Sequence, residues 1–174
     1  MSQEDIIHIV KNGLKTDNLV KSISSIFLND RFSEKIKYDP YFQRNYVWDE
    51  AKATYFIESI ILGTELPPII LFNNYEKVEV IDGRQRYETI LRFIKKNQFS
   101  LKKDGLKSLK NLSGMRFSDF PEELKEKFKD VKLRILQFSV VNEPALGEEK
   151  EDLIKKEIFK RYNSGIVPLK KEEI

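Results

Sequence analysis

The most constraining feature of this chain is an unbroken strand, turn, strand, turn and helix pattern between Pro67 and Lys96. Pro67-Pro68 forces an extended entry into the apolar run Ile69-Ile70-Leu71-Phe72. Asn73-Asn74 predicts a hairpin turn, and Val78 to Ile81 reads as the returning strand. Asp82-Gly83 ends that strand. A helix is predicted to follow from about Arg84 to Lys96, with Ile90, Leu91 and Ile94 inward. Together with the flanking elements this pattern predicts a mixed α+β architecture.

The flanking sequence fits that class. Residues 3 to 12 read as a short helix, and Thr16 or Asp17 could cap a second, with Leu19, Ile23, Ile26 and Phe27 on one face. Lys35 to Asp39 reads as a strand running into Pro40. Asp49 suits an N-cap for a helix carrying Ala53, Phe56, Ile57, Ile60 and Ile61, which Gly63 ends. Residues 102 to 118 are loop-rich, Pro121 opens a helix to about Phe128, and Lys132 to Val141 is a strongly apolar strand. Glu148 to Tyr162 is a charged amphipathic helix with Leu153, Ile154, Ile158 and Phe159 on its apolar side. The expected organisation is an N-terminal helical segment, residues 1–34, and a domain over 35–174 built as a small mixed sheet flanked by helices.

Composition narrows the function classes. With 174 residues, 40% of them apolar, the chain can bury a real core. No stretch approaches the roughly 20 apolar residues needed to span a bilayer. The start Met-Ser-Gln-Glu-Asp lacks the basic and apolar regions of a signal peptide. We therefore expect a soluble, cytoplasmic protein with no membrane partner. There are no cysteines, which excludes disulfides, zinc fingers and thiol catalysis. His8 is the single histidine, so a nuclease built on paired histidines cannot be complete here. Arg92 to Arg134 carries 13 Lys plus Arg against 6 Asp plus Glu. Such a stretch can attract phosphate backbones, but lysines also serve simply as solvated surface, and alone it carries no assignment.

Three segments combine chemistry-bearing residues. In Val78-Glu79-Val80-Ile81-Asp82-Gly83-Arg84-Gln85-Arg86 a strand feeds a glycine turn and a helix start. N–H groups at a helix start carry partial positive charge, and glycine permits a close or left-handed backbone path. Arg84 and Arg86 add two guanidinium forks matched to phosphate oxygens. A phosphate is the simplest ligand that uses all these parts. Asp82 could hold a Mg²⁺ ion, orient a water or cap the helix. A capped helix with solvated arginines is the bland alternative.

The second segment is Phe42-Gln43-Arg44-Asn45-Tyr46-Val47-Trp48, with the only tryptophan. Val47 and Trp48 read as core packing, whereas Arg44, set among apolar residues, needs an acidic partner or an anionic ligand. Gln43 or Asn45 could read a sugar or base edge. The third segment runs from Ile158 to Leu169. Asn163 and Gly165 suit a left-handed helix end, and a functional reading places Arg161 or Asn163 on the ligand.

In this order the three segments resemble the N-terminal domain family of GmrSD-type modification-dependent restriction enzymes. That family is marked by a Q-R-x-Y-V-W-like element, an I-D-G-x-Q-R element and a late F-x-R-x-N-S-G-x-x-P-L element. They stand here as Gln43 to Trp48, Ile81 to Arg86 and Phe159 to Leu169. The resemblance covers about residues 35 to 174. It implies a ParB/sulfiredoxin-like fold, in which a glycine-arginine turn binds nucleotide phosphates, and hydrolysis that controls a nuclease in several relatives. By position, Asp82, Gly83, Gln85 and Arg86 match the central motif, Gln43 and Arg44 the first, and Arg161 and Asn163 the third. Arg84 stands where a glutamine is usual, Tyr87-Glu88 replaces a commoner Leu-Thr/Ser pair, and Ile166 replaces a frequent second glycine.

The expected function is a nucleotide-binding, NTP-hydrolysing regulatory domain of a DNA restriction or phage-defence protein, with NTP and Mg²⁺ as cofactors. Gly83, Arg84 and Arg86 would hold phosphates with help from Gln43, Arg44, Arg161 and Asn163. Asp82 and Gln85 would be the catalytic residues, with Asp82 also the Mg²⁺ ligand. DNA is the expected partner of the full-length protein. The cutting chemistry is expected in a C-terminal nuclease-type domain or partner subunit beyond Ile174. The alternative is a non-enzymatic module that binds DNA or senses its modification.

Overall fold

The computed structural model describes residues 13–38, 45–141 and 147–163. The expected helix over residues 3–12, His8, Gln43, Arg44 and the segment from Ser164 to Leu169 lie outside these residues. In chain order the elements are β1 (Leu14–Ser22), α1 (Ile23–Phe27), α2 (Asp30–Ser33), β2 (Ile36–Lys37) and α3 (Glu50–Ile61). They continue with β3 (Ile69–Asn73), β4 (Val78–Asp82), α4 (Arg84–Ile90), α5 (Glu122–Asp130), β5 (Lys132–Val140) and α6 (Glu148–Asn163). A π-helical turn, Leu91–Lys95, prolongs α4.

The strands form a five-stranded mixed sheet in the order β1-β5-β3-β4-β2. β3 and β4 are the expected antiparallel hairpin. β5 lies parallel to β3, with Ile69 opposite Ile135, and β2 lies parallel to β4. The hairpin turn is built by its asparagines: Asn74 Oδ1 accepts from the N–H groups of Glu76 and Lys77, and Asn73 Oδ1 from that of Tyr75. Asp49 caps α3 by accepting from Lys52 N at 2.7 Å, and Gly63 follows the helix with φ +70°.

The expectation for the N-terminal stretch fails. The stretch after Thr16 is not a helix: Leu14–Ser22 pairs antiparallel with all nine residues of β5, from Leu14 opposite Val140 to Ser22 opposite Lys132. Helix begins only at Ile23, capped by Ser22, whose Oγ accepts from Ser25 N at 3.2 Å. The helical spacing of Leu19, Ile23, Ile26 and Phe27 hid a strand whose partner lies more than 100 residues away. Long-range ladder pairing overrides local periodicity here.

The inner strand β3 is covered on both faces and reads as a continuous apolar run, whereas the outer strand β1 is largely polar. Ile69, Leu71, Val78 and Val80 belong to the larger core with α1, α3, α4 and the Phe93, Phe99, Phe117, Phe120 and Phe128 cluster. Ile70, Phe72, Ile81, Phe138 and Val140 belong to a smaller core closed by Ile154 and Ile158 of α6. Beneath α6, Lys155 is 2% exposed and pairs with Glu79 of β4 at 2.8 Å and Asp152 at 2.6 Å. Leu153, expected inward, is 38% exposed, and Lys155 takes a buried place instead.

Candidate functional site

The site grows from the end of β4. Gly83 has φ +88°, the left-handed region that glycine enters without strain. It is the N-cap residue of α4 and makes no side-chain cap, so Asp82 does not cap the helix as one reading allowed. Asp82 instead turns to Arg86, with Oδ2 3.2 Å from Nη2. The same Nη2 donates to the Pro68 carbonyl at 3.0 Å, and the Arg86 Nε is buried with no hydrogen bond among the described residues. A Cβ on residue 83 would lie 2.9 Å from Arg86 Nη2. Glycine is required here twice over, for its backbone angle and for the room it leaves the guanidinium. Arg84 is 8% exposed and its Nε lies 3.6 Å from Glu88 Oε2, so the helix carries its own counter-charge.

Gln85 binds the second segment to this turn. Its Oε1 accepts from Val47 N at 2.9 Å and Trp48 N at 3.3 Å, and its Nε2 donates to the Asn45 carbonyl at 3.0 Å. Thr89 Oγ1 donates to the Gln85 carbonyl at 2.7 Å and lies 3.0 Å from the Tyr46 hydroxyl, which must then be the donor in that pair. The Arg92 guanidinium stacks over the Tyr46 ring at 4.4 Å. Val47, expected in the core, is 65% exposed because its backbone rather than its side chain is used. Trp48 is half-buried and packs edge-on against Phe56, with ring centroids 5.4 Å apart.

These groups line a cleft of about 680 Å³ formed by Val47, Trp48, Asp49, Lys52, Asp82, Gly83, Arg84, Gln85, Arg86, Phe159 and Asn163. Residues from all three sequence segments thus meet. Asn163 is at the cleft but donates to its own helix, to the Phe159 carbonyl at 2.9 Å. Arg161 is not among the lining residues. It is 64% exposed and pairs with Glu157 at 2.7 Å. Lys52 was not anticipated as a cleft residue, and it brings a cation whose ammonium lies 5.2 Å from the Trp48 ring centre.

Among the described residues no group of three or more His, Cys, Asp or Glu side chains is assembled for a metal ion. Asp82 and Asp49 are the carboxylates that line the cleft, and Asp49 is engaged by the Lys52 amide.

Two further buried charges escaped sequence reasoning. Glu58 is 1% exposed on the apolar face of α3, and its carboxylate accepts from the N–H groups of Lys107, Ser108 and Leu109 at 2.7–3.1 Å. Burial alone would raise its pKa, but those backbone hydrogen bonds and the Lys110 charge bring it below the usual carboxylate value. Lys155 is the other. Burial pulls its pKa down, and the hydrogen bonds to Asp152 and Glu79 more than reverse this, leaving it above the usual lysine value. The signal for Glu58 was a carboxylate inside an otherwise apolar helix face, whereas Lys155 follows Glu151 and Asp152 by one turn and gave none.

Fold and cleft together define a mixed α+β domain in which a glycine-arginine turn gathers three remote segments around one polar cleft. The chain belongs to the GmrSD restriction endonuclease N-terminal domain family, which it matches over residues 23–174. This places it with restriction and phage-defence proteins. No curated protein and no solved structure matches the chain. No helix among the described residues is long and apolar enough to cross a membrane.

Proposed function

We propose that this domain binds a nucleoside triphosphate with Mg²⁺ in the cleft at Asp82–Arg86 and regulates a DNA-cutting partner or domain through its hydrolysis. The observation that carries the reading is the convergence of Arg86, Arg84 and Lys52 with the glycine turn in one cleft. Arg86 is the principal phosphate ligand, because its guanidinium is already held in place by Asp82 and Pro68. Gly83 lets the phosphate approach the backbone, and Arg84, tied to Glu88, supplements the positive charge. Asp82 would hold Mg²⁺, which neutralises phosphate charge when bound, and would orient the attacking water. Gln85, whose carboxamide is engaged by Asn45, Val47 and Trp48, acts by fixing the cleft wall. Gln43 and Arg44, proposed as phosphate ligands on the family motif, precede that wall in the chain. Phosphoryl transfer needs chiefly such positioning and charge neutralisation.

Phosphate release from ATP, GTP, CTP and UTP tests the hydrolytic half. Release that disappears in Asp82→Asn while nucleotide binding persists supports it, and release unchanged in that variant removes Asp82 from the reaction.

A DNA contact by the same domain has its own structural support. The loop pinned by Glu58 exposes Lys103, Lys107 and Lys110, and Arg116 is tied to the Asn97 carbonyl beside exposed Lys95 and Lys96. Duplex binding that needs no nucleotide and weakens steeply with salt would favour this second reading. Absence of binding to modified and plain duplexes at low salt would remove it for this domain.

A further inference from the structure

Arg86 borders a second cavity besides the polar cleft. This cavity, of about 390 Å³, has walls formed mainly by Phe56, Leu66, Pro67, Ile69, Ile90 and Leu133. Both openings lie at the same end of the sheet, where β3 and β5 begin and β4 finishes, since Ile69 stands opposite Ile135 and Ile70 opposite Asp82. Arg86 lines both, and its Nη2 is bonded to the Pro68 carbonyl and to Asp82. The polar cleft offers charges, whereas the cavity offers apolar walls. At the cavity's rim the Glu65–Arg134 pair, 3.1 Å apart, supplies exposed hydrogen-bonding groups.

We propose that this cavity is the base subsite: a nucleotide lies across Arg86, with its phosphates in the Asp82–Arg86 cleft and its nucleobase between the apolar walls under Leu66. The proposal rests on the nucleotide reading above and adds where the base goes. A nucleotide is divided as the two cavities are, into a charged chain and a flat group with apolar faces and polar edges. Small-molecule sites have this make-up, apolar walls with a few polar groups at fixed points, and start at about 300 Å³. The faces of the base would stack against aliphatic walls, and its edge would meet Glu65 or Arg134.

The test compares Mg²⁺-tripolyphosphate with Mg²⁺-ATP, GTP, CTP and UTP by calorimetric titration of the wild-type chain and of Leu66→Trp, a half-buried rim residue whose enlargement fills the cavity. At least one nucleotide should bind the wild type more tightly than tripolyphosphate, by roughly tenfold to a hundredfold, the gain that burying a large apolar group gives. Leu66→Trp should remove that advantage and leave tripolyphosphate affinity unchanged. Methyl chemical shifts of Ile69, Ile90 and Leu133 in the wild type should move with that nucleotide and not with tripolyphosphate. These shifts decide the matter if Leu66→Trp fails to fold. Tripolyphosphate binding as tightly as every nucleotide, or a Leu66→Trp variant that keeps full nucleotide preference, overturns the base subsite and leaves the phosphate cleft standing. Failure of the wild type to bind any of these ligands overturns both.

Discussion

Gln85 holds the backbone of Val47: the carboxamide oxygen of one accepts from the amide of the other at 2.9 Å, across 38 residues of sequence. Residues read from sequence as two separate motifs are therefore one structural unit. Replacing Gln85 with alanine should cost about 1 kcal/mol in chemical denaturation, because three backbone groups lose their partner and only that of Trp48 is partly buried. Trp48 is the only tryptophan, and its fluorescence should shift to the red as the 45–48 wall loosens. An unshifted spectrum would mean that the wall is held by other contacts.

Gly83→Ala should destabilise the domain by roughly 1–3 kcal/mol, the cost of a non-glycine residue at such a backbone angle. The new methyl would also press on the Arg86 guanidinium. Denaturation curves give the first effect. Loss of phosphate affinity beyond that of the exposed turn variant Gly114→Ala gives the second, since a Cβ at Gly114 meets nothing within 4 Å although its φ is +83°.

Lys155→Met should cost ~3 kcal/mol by leaving Glu79 buried beside only the more distant Lys77, and adding Glu79→Leu should recover most of that loss. The pH dependence has a definite sign. The Lys155 pKa is raised on folding, so its contribution is complete below the ordinary lysine range and disappears as pH climbs through the raised value. Stability of the wild type should therefore fall more steeply in strong alkali than that of the double variant. Parallel curves would contradict this.

Glu58→Ala should release the 107–109 loop, and amide exchange at Lys107, Ser108 and Leu109 should accelerate well before global unfolding. The Glu58 pKa is lowered on folding, so its contribution is complete above the ordinary glutamate value and is lost as pH falls through the lowered one. Exchange at the three amides should be protected at neutral pH and lose that protection in acid. If they exchange as fast as the exposed loop in the wild type at neutral pH, the carboxylate does not anchor them.

Much of this was legible before the fold was known. The hairpin, the Asp49 cap and the glycine turn are written in local chemistry, in Asn73-Asn74, Asp49 and Gly83, and the structure has them in place. The meeting of Arg86 and Asn163 at one cleft was anticipated only through the family resemblance, because nothing local links positions so far apart, and Trp48, read as core packing, lines the cleft as well. What escaped depended on distant partners. β1 is a strand because β5 lies beside it, Glu58 is buried because a loop 50 residues later supplies its N–H groups, and Lys155 is buried because Glu79 meets it. Each has a side-chain pattern that admits another reading until the partner is in place.

The central claim, that Arg86 organises a nucleotide phosphate site, is tested most directly by calorimetric titration of Mg²⁺-ATP, GTP, CTP and UTP into the wild type and a folded Arg86→Ala variant. The account predicts saturable, Mg²⁺-dependent binding of at least one nucleotide to the wild type and its loss in the variant. Undiminished affinity in Arg86→Ala, or no binding of any nucleotide by the wild type, would contradict it.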